Sequence, residues 1–146
     1  MNKDTRLSDV LHTLLHLGHA TQPLTSDVLA RSMGTNPAVF RRTMAGLRDA
    51  GHVRSGKGHG GGWQLARPLS AITLLDVYTA LGRPMLFAIG RRPAHPDCQV
   101  QASVNVALGD TLAQAEALFV QRFSEVTLDT LMPPPRSAAP QPCQAD

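Results

Sequence analysis

The residues with the most suggestive chemistry form the stretch GHVRSGKGHGGG at positions 51–62. Its first seven residues follow the P-loop pattern, but Gly58 stands where that pattern requires a Ser or Thr. The spacing Gly56-x-Gly58-x-x-Gly61 also matches the dinucleotide-binding pattern. Glycine-rich loops of both kinds place backbone N–H groups around phosphate, so the stretch raises the question of which phosphates it meets.

Neither nucleotide pattern has the flanking structure that it needs. Both kinds of loop lead into a helix whose N-terminus binds the phosphate. Here the loop leads into Trp63-Gln64-Leu65-Ala66, which alternates like a strand and is ended by Pro68. No nucleophile or carboxylate–histidine set accompanies the loop, so we predict that the chain is not an enzyme. A small nucleotide-binding enzyme remains a minor alternative.

Hydrophobic spacing predicts the elements that carry this loop. The apolar residues of three segments recur at helical spacing, with Ser26 expected to cap the second helix and Asn36 followed by Pro37 expected to begin the third. Gly51 is expected to end the third helix. The expected elements are helices over residues 5–19, 26–33 and 37–50, strands over 52–55 and 63–66, and a fourth helix from Ser70–Thr73 to Gly82.

The chain is expected to divide into four parts. Residues 1–82 form a winged helix-turn-helix domain, 83–98 a connector or sensor loop, 99–131 a dimerisation helix region, and 132–146 a disordered Pro-rich tail. The fold class is mainly α with a small β-hairpin wing. A long apolar stripe supplies the expected dimer interface, although a helix folded back on its own domain would also bury it. Its members are Val104, Leu108, Leu112, Ala115 and Phe119.

Charge and composition narrow the function. Residues 1–70 carry nine Lys or Arg against four Asp or Glu, whereas residues 71–146 carry five against seven, within a net charge of +3. A basic N-terminal half indicates a polyanionic partner, unless it is only a solvated surface. The two cysteines form no C-x-x-C, and we find neither a signal peptide nor a membrane-spanning run, so we expect a cytoplasmic protein with no membrane partner.

The order helix–turn–helix–strand–loop–strand favours double-stranded DNA as the partner. The second helix of such a motif enters the major groove, and a glycine-rich wing approaches the backbone or the minor groove. The exposed face of the third helix carries Ala38, Arg41, Arg42, Ala45 and Arg48. A winged-helix adaptor that binds protein is the main alternative. We predict these DNA-binding residues: Thr35, Asn36, Ala38, Arg41, Arg42, Lys57, His59 and Gly60.

The same residues resemble a known family. The run from LTSDVLARSMGTNPAVFRRTMAGLRDAG to the wing GHGGGWQLA and the following ITLLDV is similar to the winged-helix regulators typified by IscR, NsrR and CymR. The resemblance covers roughly residues 5–131, closely to Gly82 and loosely afterwards. It implies a homodimeric transcription regulator, expected to be a repressor of a palindromic operator, with a long C-terminal dimer helix. By position it places Asn36, Ala38 and Arg41 in the major groove and Lys57 in the minor groove.

Cys98 is the candidate sensor residue. Cluster-binding members of that family carry three closely spaced cysteines before the dimer helix, and this window holds only Cys98, so we expect no iron–sulfur cluster and no other cofactor. Cys98 has three interpretations: a redox switch favoured as thiolate at a helix N-terminus, a metal ligand with His95 and Asp97, or a structural residue. His12, His16 and His19 share one helix face, but we interpret them as exposed polar residues and predict no metal site.

Overall fold

Five α-helices and one β-hairpin follow one another in residues 3–134, the part of the chain that the structure, a computed structural model, describes. Two short 3-10 turns, Leu69–Ala71 and Leu128–Leu131, connect or end them. The predicted disordered tail lies outside the described residues from position 135 onward, as does Cys143. The elements are α1 (Arg6–His19), α2 (Ser26–Ser32), α3 (Pro37–Asp49), β1 (Val53–Ser55), β2 (Trp63–Leu65), α4 (Leu74–Ala80) and α5 (Gln99–Glu125).

The predicted helix starts are confirmed at α3 and wrong at α2. The Asn36 side chain accepts the backbone N–H groups of Ala38 and Val39 at 3.1 and 3.0 Å, as expected of an N-cap. The N-cap of α2 is Thr25, whose hydroxyl oxygen accepts the N–H of Val28, and not Ser26. The Ser26 hydroxyl has a tertiary partner instead, described below, which no local pattern could reveal.

One hydrophobic core joins α1 to α4 and the hairpin. Helices α2 and α3 pack against each other, and α1 lies across α3, α4 and β2. Each helix contributes its apolar side, as its spacing predicts. The buried hydrophobic residues of this core are Val10, Leu14, Leu17, Leu29, Ala30, Phe40, Met44, Leu47, Val53, Trp63, Ile72, Val77 and Leu128.

The hairpin confirms the wing. Strands β1 and β2 are antiparallel, with Val53 opposite Leu65 and Ser55 opposite Trp63. Trp63 also pairs with Leu24 through two backbone hydrogen bonds of 2.8 and 3.1 Å, so the chain before α2 extends the hairpin. Gly62 has φ 147° and lies so close to Leu24 that a Cβ would be 2.8 Å from the Leu24 carbonyl oxygen. Only glycine fits this crossing of chains.

Helix α5, within the predicted helix region 99–131, is one continuous helix. It runs for 27 residues and passes through Gly109 without a break. None of its residues is buried within the described chain. After α5 the chain returns to the core, where Leu128 donates its N–H to Ile72 and is fully buried. Part of the expected dimerisation region, 99–131, therefore belongs to the N-terminal core.

No helix among the described residues is long and apolar enough to cross a membrane.

Candidate nucleic-acid interface

The third helix presents a basic face to solvent. Phe40, Met44 and Leu47 are fully buried on one side of α3. The helical period then turns Ala38, Arg41 and Arg42 outward, and all three are exposed. Because the hydrophobic contacts hold the buried side, the orientation of the opposite face is fixed. This is the geometry of a recognition helix.

The residues at the start of α3 cap the helix and keep hydrogen-bond donors that a nucleic acid could accept. Asn36 uses its side-chain oxygen for the N-cap, so its amide nitrogen is the group that remains for a base edge or a phosphate. Thr35 is half-buried, and its backbone N–H donates to the carbonyl of Ala30 at 2.9 Å. Thr35 therefore has its hydroxyl alone to offer to DNA.

Trp63 fixes the wing to both helices of the motif. Its indole N–H donates to the Ser26 hydroxyl at 2.9 Å. Its ring meets the ring of Phe40 edge to face, with centroids 5.7 Å apart. Such an aromatic pair stabilises by about 0.5–1.5 kcal/mol beyond its area burial. The wing, residues 53–65, is thus held at a defined position beside α3.

A groove of about 600 Å³ lies between α3, the wing and the start of α2. We call it the basic groove, because Arg41 and Arg48 line it from α3 and Lys57 lines it from the wing. Asp27 lines it too, and Arg48 lies 3.6 Å from Asp49 in an exposed ion pair. Three cations from two separate elements converge here. The groove therefore has the positive charge to attract a polyanionic backbone.

Of the predicted DNA-binding residues only Arg41 and Lys57 line the basic groove, and the others lie outside its lining. His59 and Gly60 are exposed in the loop between the strands, where Gly58 and Gly60 have φ of 79° and 73°. Such left-handed conformations favour glycine and let the loop turn without a side chain in the way. Arg42 is exposed but is not among the groove residues, since it lies on the other flank of α3.

Sequence reasoning missed Thr25 and Ser26 as part of the groove and left Arg48 out of the site. Thr25 and Ser26 line the groove at the N-terminus of α2. Arg48 was assigned to the exposed face of α3, but only the position of the wing shows that it faces the same space as Lys57. The signal for Thr25 was its place before a helical run, where a hydroxyl can meet an anion beside free N–H groups.

A buried histidine lies between the recognition helix and the wing. His52 is 5% exposed, and its ring Nδ1 has no hydrogen-bond partner within the described residues. Its backbone N–H donates to Leu47 of α3, and its carbonyl accepts the N–H of Ala66 after β2. Burial lowers the pKa of His52. The negative charge of Asp76 raises this pKa and the positive charge of Arg67 lowers it, both by less than burial does. The junction is therefore built around a neutral ring.

The predicted dimer-interface residues fall on two sides of α5. Val104 and Leu108 are exposed, whereas Leu112, Ala115 and Phe119 are half-buried. Phe119 packs against Tyr78 of α4, with ring centroids 5.4 Å apart. That side of α5 therefore rests on its own domain, as the alternative interpretation of the stripe expected.

Cys98 and the histidines of α1 lie at the surface. Cys98 is exposed and is the N-cap of α5, with its sulfur 3.4 Å from the backbone N–H of Gln101. His95 Nδ1 is 4.0 Å from a carboxylate oxygen of Asp97. His12 and His16 contact each other through their Nε2 atoms at 2.8 Å on the exposed side of α1. Among residues 3–134, no three His, Cys, Asp or Glu side chains are grouped to hold a metal ion.

A sequence model of the Rrf2 family, described as iron-dependent transcriptional regulators, matches residues 3–134. The donors found here do not fit an iron–sulfur cluster of the kind held by several thiolates. Cys98 is the single thiol in the described part of the chain, and its neighbours His95 and Asp97 are exposed side chains that form no three-ligand group with it. The described residues thus offer one thiolate where a cluster of that kind needs several.

Individual relatives agree with the family match. YwnA of Bacillus subtilis strain 168, a candidate HTH-type transcriptional regulator, is 29% identical over 130 residues, which are 88% of this chain and 96% of YwnA. A candidate transcriptional regulator from Lactobacillus plantarum has the same fold, with a TM-score of 0.72, 24% identity and 87% coverage of both chains. The IscR structure from T. potens matches with a TM-score of 0.60 and 20% identity, over 90% of this chain and 85% of that one. The chain belongs to the Rrf2 family of DNA-binding transcriptional regulators and is not an enzyme.

Proposed function

We propose that this regulator is a cytoplasmic homodimer that represses transcription by binding a palindromic operator sequence-specifically. The observation that carries the proposal is the basic groove, where Arg41 of α3 and Lys57 of the wing face the same space. Cations that converge from a recognition helix and a wing favour a polyanionic duplex over the protein partner of an adaptor. The arrangement fits a duplex that offers a major groove to one element and phosphates to the other.

In this mode α3 lies in the major groove. Ala38 and Ala45 are small enough to let the helix approach closely, and Ala38 can meet a thymine methyl. Arg41 binds guanine or phosphate. Arg42, on the other flank of α3, reaches the opposite side of the DNA major groove. Lys57 and His59 approach the backbone or the minor groove from the wing. Thr25 and Ser26 at the start of α2 add donors for a phosphate.

Dimerisation is proposed from the solvent side of α5. Val100 and Leu118 are 75% and 69% exposed, although both are large apolar side chains. They are 18 residues apart, which is five full helical turns, so they lie on one line along α5. We call this line, with Val104 and Leu108, the α5 seam. A second copy of α5 would bury it and would pair two recognition helices about a two-fold axis.

Two-fold symmetry determines the form of the operator. Dimers of helix-turn-helix proteins bind half-sites whose centres are about 34–36 Å apart, or a multiple of that distance. The operator is accordingly palindromic, and a dimer bound over a promoter excludes polymerase. Repression follows from this occupancy without any further chemistry.

Signal reception is proposed to proceed without an iron–sulfur cluster. Cys98 at the start of α5 is exposed, so an oxidant can reach its sulfur. Oxidation to the sulfenic acid or to a mixed disulfide would disturb the first turn of the helix that carries the α5 seam. Oxidation of Cys98 would in this way weaken the dimer, and a weaker dimer would bind the operator less tightly.

Genomic footprinting of the purified protein tests the proposal. Wild type is expected to protect a set of palindromic sites in promoters, and protection is expected to weaken when oxidant is added. Cys98→Ser is expected to protect the same sites in both conditions. Oxidant sensitivity that survives the substitution rules out the Cys98 switch, and random retention without preferred sites contradicts sequence-specific regulation.

A further inference from the structure

A second cavity, of about 340 Å³, lies away from the basic groove. It is open to solvent and is bordered by the end of α4, the connector of residues 83–98 and the middle of α5. We call it the connector cavity. Met85, Leu86, Phe87 and Ile89 line one part of it, and Leu112 of α5 continues this apolar lining. The volume matches that of small-molecule sites, which are apolar with a few polar groups.

Two arginines provide the polar part of the connector cavity. Arg83 and Arg91 both line it, and neither has a carboxylate within 4.0 Å among the described residues. Arg83 adopts φ 51°, a left-handed conformation that is uncommon for a residue with a side chain. Strained backbone of this kind is concentrated at ligand-binding sites and switches.

The middle of α5 is shaped to receive Arg91. Gly109 lies in the centre of a long helix, where glycine is unfavourable relative to alanine. A Cβ at this position would be 2.9 Å from the Arg91 guanidinium. The missing side chain therefore lets the guanidinium lie against the helix at the edge of the cavity. The connector is fixed beside it by the Asn105 side chain, which donates to the Arg92 carbonyl at 2.8 Å.

We infer that the connector cavity binds a small organic carboxylate with an apolar body, held by Arg83 and Arg91. Guanidinium groups bind carboxylates through paired hydrogen bonds, and an apolar body fits against Met85, Phe87 and Leu112. Glu116 also lines the cavity. Two classes of ligand have this chemistry, amino acids and simple carboxylic acids. Glu116 would attract the ammonium group of an amino acid and would add nothing to the binding of a simple carboxylic acid.

The proposed dimer leaves the connector cavity open. Gly109 and Leu118 are nine residues apart, or two and a half helical turns, so they lie on opposite sides of α5. A partner helix on the α5 seam therefore covers Leu118 and not the cavity edge at Gly109. A ligand and a second subunit can bind at the same time.

The connector cavity also has a physical connection to the recognition helix. Tyr78 lines the cavity from α4 and donates its hydroxyl to the Pro84 carbonyl at 2.8 Å. Two residues along α4, the backbone oxygen of Ala80 packs so closely on Gly46 of α3 that a Cβ at Gly46 would collide with it. A ligand that moves this end of α4 moves α3 with it. This effect on DNA rests on the proposed function, whereas ligand binding does not.

Calorimetry on the full chain tests the site directly. The probes are 3-phenylpropanoate, its neutral amide, L-phenylalanine and phenethylamine. The carboxylate is expected to bind and the amide and amine to bind at least ten times more weakly. Tighter binding of L-phenylalanine than of 3-phenylpropanoate would assign the site to amino acids, and the reverse order to simple acids. The absence of binding by both carboxylates at millimolar concentration overturns the inference.

Three variants locate the binding. Arg91→Met and Arg83→Met are each expected to weaken carboxylate binding at least tenfold. Arg92→Met, which removes the same charge from the next position outside the cavity lining, is expected to leave it unchanged. Gly109→Ala is expected to weaken binding while the thermal unfolding temperature stays the same or rises. Equal losses in the Arg91 and Arg92 variants would show nonspecific charge attraction and overturn the site.

Coupling to DNA is read separately, from operator affinity with and without saturating carboxylate. Reciprocity requires that a ligand which changes operator affinity has its own affinity changed by the same factor on DNA. A change in wild type that is absent from Arg91→Met supports the coupling. Calorimetric binding with no change in operator affinity overturns the coupling alone, and failure of operator binding itself would count against the proposed function.

Discussion

The winged-helix domain buries most of its apolar residues, whereas α5 leaves its apolar residues exposed or half-buried. Apart from Leu128, every buried hydrophobic residue in the described range 3–134 lies between Val10 and Tyr78. Helix α5 has 27 residues, spans about 40 Å at 1.5 Å per residue and buries none of them. The exposed large hydrophobic side chains include four from the α5 seam: Val100, Val104, Leu108 and Leu118.

The difference shows which apolar residues are buried by contacts within one chain and which are left exposed. Most of the N-terminal apolar residues pack into the core, with Val28 and Val39 as exposed exceptions, so the position of α3 and the wing is determined within one chain. Along α5, one side rests on Tyr78 and the other side has only solvent within the described chain. Exposed apolar lines of this length indicate an interface, as monomeric proteins rarely keep them.

The largest expected effect separates the two regions by stability. Leu14→Ala removes a fully buried side chain from the core and is expected to lower the free energy of unfolding by about 2–5 kcal/mol. Leu118→Ala makes the same chemical change on the exposed line of α5, and is expected to cost less than about 1 kcal/mol at protein concentrations low enough to keep the chain monomeric. Urea unfolding of both variants measures the contrast, and similar losses would remove the distinction between the regions.

The next effect concerns dimerisation. Leu118→Asp places a charge in the α5 seam, at its C-terminal end, and is expected to weaken self-association by about 2 kcal/mol or more, roughly 30-fold. Ala117→Asp adds the same charge one position away, outside the seam, and serves as the matched control. Sedimentation equilibrium gives both constants. If the two variants dissociate alike, or if neither does, the seam is not the interface.

The basic groove predicts a smaller, directional effect on DNA. Arg41→Ala is expected to cost about 1–3 kcal/mol at one base position of the operator if the side chain reads a base. Arg67→Ala removes the same charge at the base of the hairpin, outside the groove lining, and is expected to change affinity little. Fluorescence anisotropy on operator variants measures both. A uniform loss over all sequences would make Arg41 a phosphate contact.

Salt is expected to affect DNA binding by the basic groove more than self-association through α5. Arg and Lys release counterions from phosphate, so operator affinity is expected to fall steeply as salt rises. Lys57→Ala should reduce the slope of log affinity against log salt by about 1, because it removes one phosphate contact. Self-association through the apolar α5 seam should respond weakly to salt. An operator affinity that ignores salt would contradict a groove built on cations.

The smallest predicted effect is the pH dependence of the junction at His52. Burial lowers the pKa of His52 in the folded state below its ordinary value of 6.5, so the unfolded chain binds more protons below that pH. Stability is therefore retained above about pH 6.5 and lost as pH falls, by at most about 1.4 kcal/mol per pH unit. His52→Leu should flatten the dependence between about pH 7.5 and 5.5. Equal slopes in both proteins would show that His52 does not titrate on unfolding.

The elements could be predicted from the sequence because their signals are local. The spacing of Phe40, Met44 and Leu47 orients α3, and Asn36-Pro37 starts it. The glycine pattern of the wing was separated from a nucleotide loop by the strand that follows it, and the antiparallel hairpin confirms that prediction. Local periods decide such elements, and this chain follows them.

Tertiary contacts account for what the sequence did not show. The Ser26 hydroxyl meets the Trp63 indole 37 positions away, which moves the cap of α2 to Thr25. Gly109 is unfavourable in the interior of a helix, yet α5 is continuous and Arg91 lies where a Cβ would be. The apolar stripe of α5 was assigned to one interface, although Phe119 packs on its own domain. Long-range partners decide all three, and spacing alone cannot reveal them.

Hydroxyl-radical footprinting of the operator tests the central claim most directly, that α3 and the wing bind DNA in a dimer paired through α5. Wild type is expected to protect two symmetric sets of positions about 34 Å apart, or a multiple of that distance. Lys57→Ala is expected to lose the protection that the wing gives and to keep the central contacts of α3. Protection without two-fold symmetry, or an identical pattern in wild type, Lys57→Ala and Arg41→Ala, would contradict the account.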